Sequence, residues 1–429
     1  MVVAVSIAAL LILLAVGCPV AFSLAISGSL GLYLVGGMTL LNGILLTAPA
    51  SAIGSYEFLT IPMFLLMAEF MIASGVSGSL FNCIARWTGR IPGGLGIATA
   101  LTGAAFGAIS GSSTAAAATL STTSIPAMVR EGYEPSFASG IVSISGTLAM
   151  LIPPSVAIIF YGLLSGSSVA ALLIAGIIPG LLVTGVVITT IWILLFFNPA
   201  LARNRQVYSW AEKFKALKVS GPFLGLFMLV TGLIYLGVAT PVEASALGAL
   251  GAMVFTFLNG SLSWKNMRAA LVNTIVTSAM IGLIVICAQI FGYFVTVTQI
   301  TQSLVGFVNG HDLSPYLVIF FLAVLYLILG CFLDQISILI LTIPIALPVV
   351  LQLGFDPIWF GIIVILLAEV GMVTPPVGLN VFIVAKKTGL PVEKVFAGVW
   401  PHVFAHLVLI TVLILVPSII LWLPNTMGK

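Results

Sequence analysis

The sequence has 429 residues, 61% of them hydrophobic and only 6% charged, with a mean hydropathy of +1.29. Soluble domains carry roughly a quarter charged residues, so a soluble fold is excluded and the chain belongs in a lipid bilayer. Its formal charge of +3 sits in loop residues of the kind that set membrane orientation and points to no nucleic-acid partner.

A spanning helix needs about 20 apolar residues. The apolar runs here are of that kind, which excludes a β-barrel of short alternating strands and predicts an all-α polytopic membrane protein. Spans are expected over residues 2–17, 19–37 and 58–74. The first lacks a basic leader, so it reads as a span and not as a cleaved signal peptide. Residues 77–89, with Asn82, Arg86 and Trp87, are amphipathic and suited to lying along the interface. Residues 94–109 and 115–129 are short for spans and are joined by the small polar run Ser110, Gly111, Ser112, Ser113, Thr114. That pattern predicts a re-entrant hairpin over about 93–130. A helix over about 135–165, interrupted at Pro153 and Pro154, and a span over 169–197 complete the unit.

The unit recurs. A shift of 222 maps Pro19, Pro126, Pro135, Pro153, Pro154 and Pro179 onto Pro241, Pro348, Pro357, Pro375, Pro376 and Pro401. Chance would give on the order of one such coincidence or fewer, whereas a duplicated unit predicts them all. Residues 1–197 thus form one repeat, 198–220 a cytoplasmic linker and 221–424 the second repeat, with its hairpin over about 314–352 and its broken helix over about 357–388. Each repeat counts five crossings, and an odd number inverts its copy in the membrane. Basic residues agree with one orientation. Arg203, Arg205, Lys213, Lys215 and Lys218 of the linker fall inside, with Arg86, Arg90, Arg130, Lys265, Arg268, Lys386, Lys387 and Lys394, while the second hairpin's base, with His311, Asp312 and Asp356, falls outside. Both termini are then expected on the outer, periplasmic face, Lys429 being the basic exception.

Backbone that stops being helical at membrane depth is tolerated only where it is buried in protein or lines a watery cavity. A hairpin tip facing a helix break offers carbonyls, hydroxyls and helix ends, which together can replace the water around a small cation, and sodium suits them. One such site would use Ser110, Ser112 and Ser113 with carbonyls around Ala149, Ile152 and Pro153. Its counterpart would use Gly330, Phe332 and Asp334 with carbonyls around Gly371, Thr374 and Val377. Helix N-termini beside them carry partial positive charge that can hold a substrate carboxylate, and Ser113, Thr114, Ser155, Thr374 and Asn380 are the side chains expected nearest to it. Close helix packing is the alternative for the first arm, where Gly103, Gly107 and Gly111 recur at helical spacing. Asp334 serves equally as a cap for the second half of its hairpin. Glu69, Glu243 and Glu369 lie in or beside apolar spans, where either proton coupling or pairing with a scaffold group is open. His402 and His406 lie one turn apart, lack a third ligand type and read as interface residues, so no transition metal is expected. The scattered Cys18, Cys83, Cys287 and Cys331 indicate neither a disulfide framework nor zinc. No nucleotide-binding loop, HExxH or GxSxG is present, so neither an enzyme nor an organic cofactor is expected.

Several segments resemble the large membrane subunit, the M-type permease, of tripartite ATP-independent periplasmic (TRAP) transporters. They are Ser110 to Ala115, Ile125 to Met128, Gly132 with Tyr133, and Ile152 to Ser155 in the first half. In the second half they are Leu333 with Asp334, Pro344, Pro348, Gly354 to Pro357 and Gly371 to Asn380. The chain departs from the pattern at Ala149, where glycine is expected by analogy with Gly371. The resemblance implies an ion-transporter elevator architecture in the bacterial inner membrane and sodium-driven uptake of an organic acid such as a C4-dicarboxylate or sialic acid. It also implies two partners, a small four-helix membrane subunit and a periplasmic substrate-binding protein. A stand-alone ion-coupled anion symporter of the same superfamily is the alternative, and it would need no partner. A channel or intramembrane enzyme is the remaining class, marked by flux without ion coupling or by hydrolysis of a membrane substrate.

Overall fold

The computed structural model describes residues 1–202 and 207–427, with the side chains of Ser77, Ala108, Ile109, Ser110, Val219 and Asn309 outside that description. Arg203, Arg205 and Lys429 likewise lie outside the described residues. Among the described residues every regular element is helical. Eight segments of the described residues are long and apolar enough to cross a membrane, or nine if a bent pair in the linker region counts as one.

Proline and glycine punctuate the first half. Helix α1 (Val2–Ala15) stops at Gly17, whose φ of +86° favours glycine, and Pro19 starts α2 (Val20–Ile53). The sequence predicted a stop at Gly37. There the backbone does turn out of the helical region (φ 64°, ψ −161°), but the helix resumes and runs on to Ile53. α3 (Thr60–Ala73) follows a short 3-10 turn. α4 (Val76–Thr88) is amphipathic as expected, burying Val76, Leu80, Phe81, Cys83 and Ala85 while Trp87 is exposed. α5 (Gly94–Ser110) and α6 (Ser113–Arg130) form the first hairpin. α7 (Pro135–Thr147) and α8 (Val156–Ser165) are the two halves of the first broken helix. Then α9 (Val169–Ala175) and α10 (Ile177–Phe197) run together as one crossing segment.

The second half repeats this order with one merger. α11 (Trp210–Tyr235) and α12 (Pro241–Leu258) both begin with reciprocal caps, Ser209 with Glu212 and Thr240 with Glu243. Glu243 is therefore tied up in starting a helix. α13 (Trp264–Val297) has 34 residues, about 51 Å of helix at 1.5 Å per residue, well beyond the roughly 30 Å apolar core of a bilayer. It combines in one rod the positions that the first half divides between the end of α2 and α3. α14 (Ile300–Gly310) precedes the second hairpin, α15 (Pro315–Phe332) and α16 (Gln335–Gln352). α17 (Pro357–Gly371) and α18 (Leu379–Thr388) make the second broken helix, and α19 (Val392–Leu415) and α20 (Ser418–Leu421) close the chain.

Two groups of helices result. In one, α2 packs along α13 and α3 against α12 and α13. Gly28 makes the first contact possible, because a Cβ there would lie 2.9 Å from the Phe291 Cα. The other group holds both hairpins and both broken helices, with α19 against α7 and α10. Gly140 and Gly398 let α7 and α19 touch backbone to backbone, since a Cβ on Gly140 would fall 2.2 Å from the Gly398 carbonyl oxygen. That close crossing corrects the expectation for His402 and His406. They lie on the following turns of α19, on the face the protein covers, and both are buried instead of sitting at the interface.

Candidate functional site

Each hairpin tip presses on the break of its own half. In the first, α5 ends at Gly111 (φ +54°), a conformation that favours glycine, and Ser112 starts α6 by accepting from the Ala115 amide at 3.4 Å. Two glycines of α5 and the one that caps it lie against the broken helix. A Cβ on Gly103 would stand 2.4 Å from the Ser145 carbonyl oxygen, on Gly107 2.2 Å from the Ala149 Cα, and on Gly111 2.8 Å from Val156. The glycine spacing is thus a packing surface, as the alternative reading had it, and the same surface carries the tip to the break. Ala149 departs from the family pattern without opening a gap, because Gly107 faces it across the contact.

In the second half a glycine stands on each side of the contact. A Cβ on Gly330 would meet the Gly371 Cα at 2.7 Å, and one on Gly371 would meet the Gly330 Cα at 2.5 Å. The tip is also bonded to the break. The Gly378 amide donates to the Cys331 carbonyl oxygen at 3.3 Å, and the Cys331 thiol lies 3.1 Å from the Pro375 carbonyl oxygen. Both breaks contain a cis proline pair, Pro153-Pro154 and Pro375-Pro376.

The two halves then meet through their distal arms. α6 packs on α18, and α16 packs on α8, so each hairpin's second arm contacts the second half of the other repeat's broken helix. Ser113, the first residue of α6, and Asn380, the second of α18, are both fully buried, and the Asn380 amide donates to the Ser113 hydroxyl at 2.6 Å. The Asn380 Oδ1 is buried without a hydrogen-bond partner among the described residues.

The other predicted residues divide between lining and capping. Thr114 is partly buried, its hydroxyl 3.1 Å from that of Ser112. Ser155 is buried, accepts from the Ile158 amide as the cap of α8 and donates to the Met150 carbonyl oxygen. Asp334 is exposed and caps α16 through the Ser337 amide and hydroxyl. Its position 222 after Ser112, the cap of α6, makes the two residues equivalent starts of equivalent helices. Phe332 is 56% exposed, Ala149 and Pro153 are buried, and Ile152, Thr374 and Val377 are partly buried within the breaks. The Thr374 hydroxyl donates back to the Val370 carbonyl oxygen at 2.6 Å. The backbone of Ser110 ends α5, while its side chain lies outside the described residues.

Two residues escaped the sequence reading. Gln335 is fully buried at the first position of α16, donating to the Ile365 carbonyl oxygen at 3.3 Å with its own Oε1 unpartnered among the described residues. The shift of 222 carries Ser113 onto it, so the repeat contained the signal. Cys331 lies in the second tip, where only its neighbours' spacing could have pointed to it. No described group of three or more His, Cys, Asp or Glu residues could hold a metal ion. A cavity of about 550 Å³ opens elsewhere, between the α2–α3 turn, the end of α8, residues 240–242 and α13, and none of the predicted residues lines it.

The family model described as "Tripartite ATP-independent periplasmic transporter, DctM component" matches residues 7–419. The chain belongs to this family. Among its relatives, the C4-dicarboxylate TRAP transporter large permease protein DctM of Pseudomonas aeruginosa is 35% identical over 87% of both chains. The ectoine TRAP transporter large permease protein TeaC of Halomonas elongata is 29% identical over 98% of both. The isethionate TRAP transporter permease protein DctMQ of Oleidesulfovibrio alaskensis is 32% identical over 95% of this chain and 64% of its own length. The crystal structure of the YdaH transporter of Alcanivorax borkumensis covers 90% of both chains with a TM-score of 0.64 at 16% identity, a likeness of fold. This TRAP permease is thus a multi-span transport protein, and its relatives are named as permeases, not enzymes.

Proposed function

We propose that this TRAP permease is the large membrane subunit of a sodium-coupled importer of organic acids in the bacterial inner membrane, working with a small four-helix subunit and a periplasmic binding protein. The observation that carries this reading is the doubled arrangement of hairpin tip on helix break, with α6 on α18 and α16 on α8. Reciprocal contacts of this kind are what a two-fold relation between repeats 1–197 and 221–424 requires, and interrupted helices at membrane depth are where transporters coordinate ions and acids. The residues assigned to sodium are Ser110, Ser112 and Ser113 with the first break, and Gly330, Phe332 and Asp334 with the second. The acid would sit near Ser113, Thr114 and Asn380, by the N-termini of α6 and α18. Relatives are named for C4-dicarboxylate, isethionate and ectoine, small solutes that each bear a carboxylate or a sulfonate, which supports that substrate class. Each sodium ion entering down 100 mV contributes about 2.3 kcal/mol, so ions can drive the acid inward by carrying the hairpin group past the helices packed on α13.

Reconstitution tests the reading. Vesicles holding both membrane subunits, supplied with binding protein, should accumulate acid only under an inward sodium gradient. Equal uptake by this chain alone would favour the stand-alone symporter. The inverted arrangement has its own test. Cysteines introduced as Ser209→Cys and Asn425→Cys should react with impermeant reagent from opposite faces, the first cytoplasmic and the second periplasmic, and labelling from one face would break the inversion.

A further inference from the structure

The cavity of about 550 Å³ lies where the two helix groups face each other. One wall belongs to the α13 group and consists of the end of α2, the turn into α3 and the start of α12. The other is the end of α8 and the turn into α9, residues 162–163 and 166–170, which belong to the hairpin group. Ser51 of α2 donates to Gln289 Oε1 of α13 at 3.0 Å and closes the first wall. On the orientation proposed above these are outer ends of helices, so the cavity opens on the periplasmic side. A water takes up about 30 Å³ and small-solute sites about 300–1,000 Å³, so the space fits a solute and is far too large for a bare ion.

Three helix starts border the cavity, and one of them is left uncapped. Thr240 caps α12 by accepting from the Glu243 amide at 3.3 Å, and Ser168 caps α9 by accepting from the Ala171 amide at 3.3 Å. Ser55 stands extended in the same position before the helical segment Tyr56–Ala73, but its side chain makes no cap bond. Its hydroxyl is buried without a hydrogen-bond partner among the described residues. So is the hydroxyl of Thr60, a fully buried residue that lines the same cavity. Buried hydroxyls in folded proteins find a partner, and an uncapped helix start draws a carboxylate.

The rim has the opposite character. Tyr56 and Glu57 line the cavity and are exposed. A carboxylate and an aromatic ring together attract a cationic nitrogen. Among the described residues no lysine, arginine or histidine lines the cavity to neutralise Glu57.

We propose that this cavity is a second solute site, distinct from the tips and breaks, for a small zwitterion whose carboxylate meets Ser55 and Thr60 and whose cationic nitrogen meets Glu57 and Tyr56. Because its walls come from both helix groups, an occupant bridges them and holds the hairpin group in place. The bridging rests on the reading of a hairpin group that moves past the α13 group; the binding does not.

The test titrates the permease, purified with its small subunit, with 4-aminobutyrate, and with butyrate and butylamine as probes that each lack one charge. Saturable binding of 4-aminobutyrate is expected, tighter than that of either control by about ten-fold or more and equal in sodium and in potassium. Glu57→Gln should erase the advantage over butyrate, and the isosteric Thr60→Val should weaken 4-aminobutyrate by about ten-fold. In vesicles, external 4-aminobutyrate at saturation should slow sodium-driven acid uptake about ten-fold, and Glu57→Gln should relieve the block at the same concentration. No saturable binding, equal binding of the three probes, or binding that needs sodium would overturn the site while sodium-driven uptake stands. Binding with no slowing of uptake would overturn the bridge, and binding in a protein without sodium-driven uptake would bring down the transport reading and leave the site.

Discussion

Gly330→Val is expected to cut solute uptake by about 100-fold while leaving a protein that still purifies. A side chain at this position has no room. Its Cβ would lie 2.7 Å from the Gly371 Cα and 2.9 Å from the Ala368 carbonyl oxygen, both of them backbone atoms that no rotamer change can move. Either the helices absorb the clash, at about 1–3 kcal/mol for overpacking, or the tip withdraws from the break. A withdrawal of about 1 Å is enough to cost a positioned site two orders of magnitude. Gly107→Val should act alike in the first half, where the contact is with the Ala149 Cα. Gly185→Ala is the control, because nothing lies within 4 Å of the added carbon, and alanine is favoured over glycine in a helix by about 0.5–1 kcal/mol. Uptake in vesicles, normalised to incorporated protein, reads the effect. Near-normal uptake by Gly330→Val would mean that the tip need not touch the break.

Asn380→Leu is expected to lower uptake by about 10- to 100-fold, because it removes the hydrogen bond that joins the two halves at their buried ends. Leaving a buried polar partner unsatisfied costs about 1–3 kcal/mol, here at the Ser113 hydroxyl, which is fully buried. Ser113→Ala in the Asn380→Leu background should do little further harm, since the bond is already gone. A double-mutant cycle on uptake and on thermal stability should return a coupling of about 1 kcal/mol. Strict additivity of the two losses would show that the contact is incidental to transport.

Much of this architecture could be read from where prolines and glycines fall. Proline marks the start of α7, α12, α15 and α17, and glycine the first hairpin turn and the end of α18. Residues 38–53 could not be read this way, because a glycine able to end a helix at Gly37 only bends this one. At the site, the sequence could identify which residues stand at the tips and breaks but not which way their polar atoms turn. Ser155 and Asp334 point their oxygens at their own helix starts, a local choice that composition does not encode. The Ser113–Asn380 contact joins residues 267 positions apart, and periodicity within one repeat is blind to pairing between repeats. His402 and His406 show the same limit, since their burial depends on the distant Gly140 allowing α7 to close over α19.

The most direct measurement is equilibrium binding of radioactive sodium to the purified permease with its small subunit. Saturable binding at two sites is predicted, one of them lost in the Ser112→Ala, Ser113→Ala double variant and the other retained. Sodium binding that is non-saturable, or unchanged in the double variant, would contradict the claim that the paired tips and breaks are the ion sites.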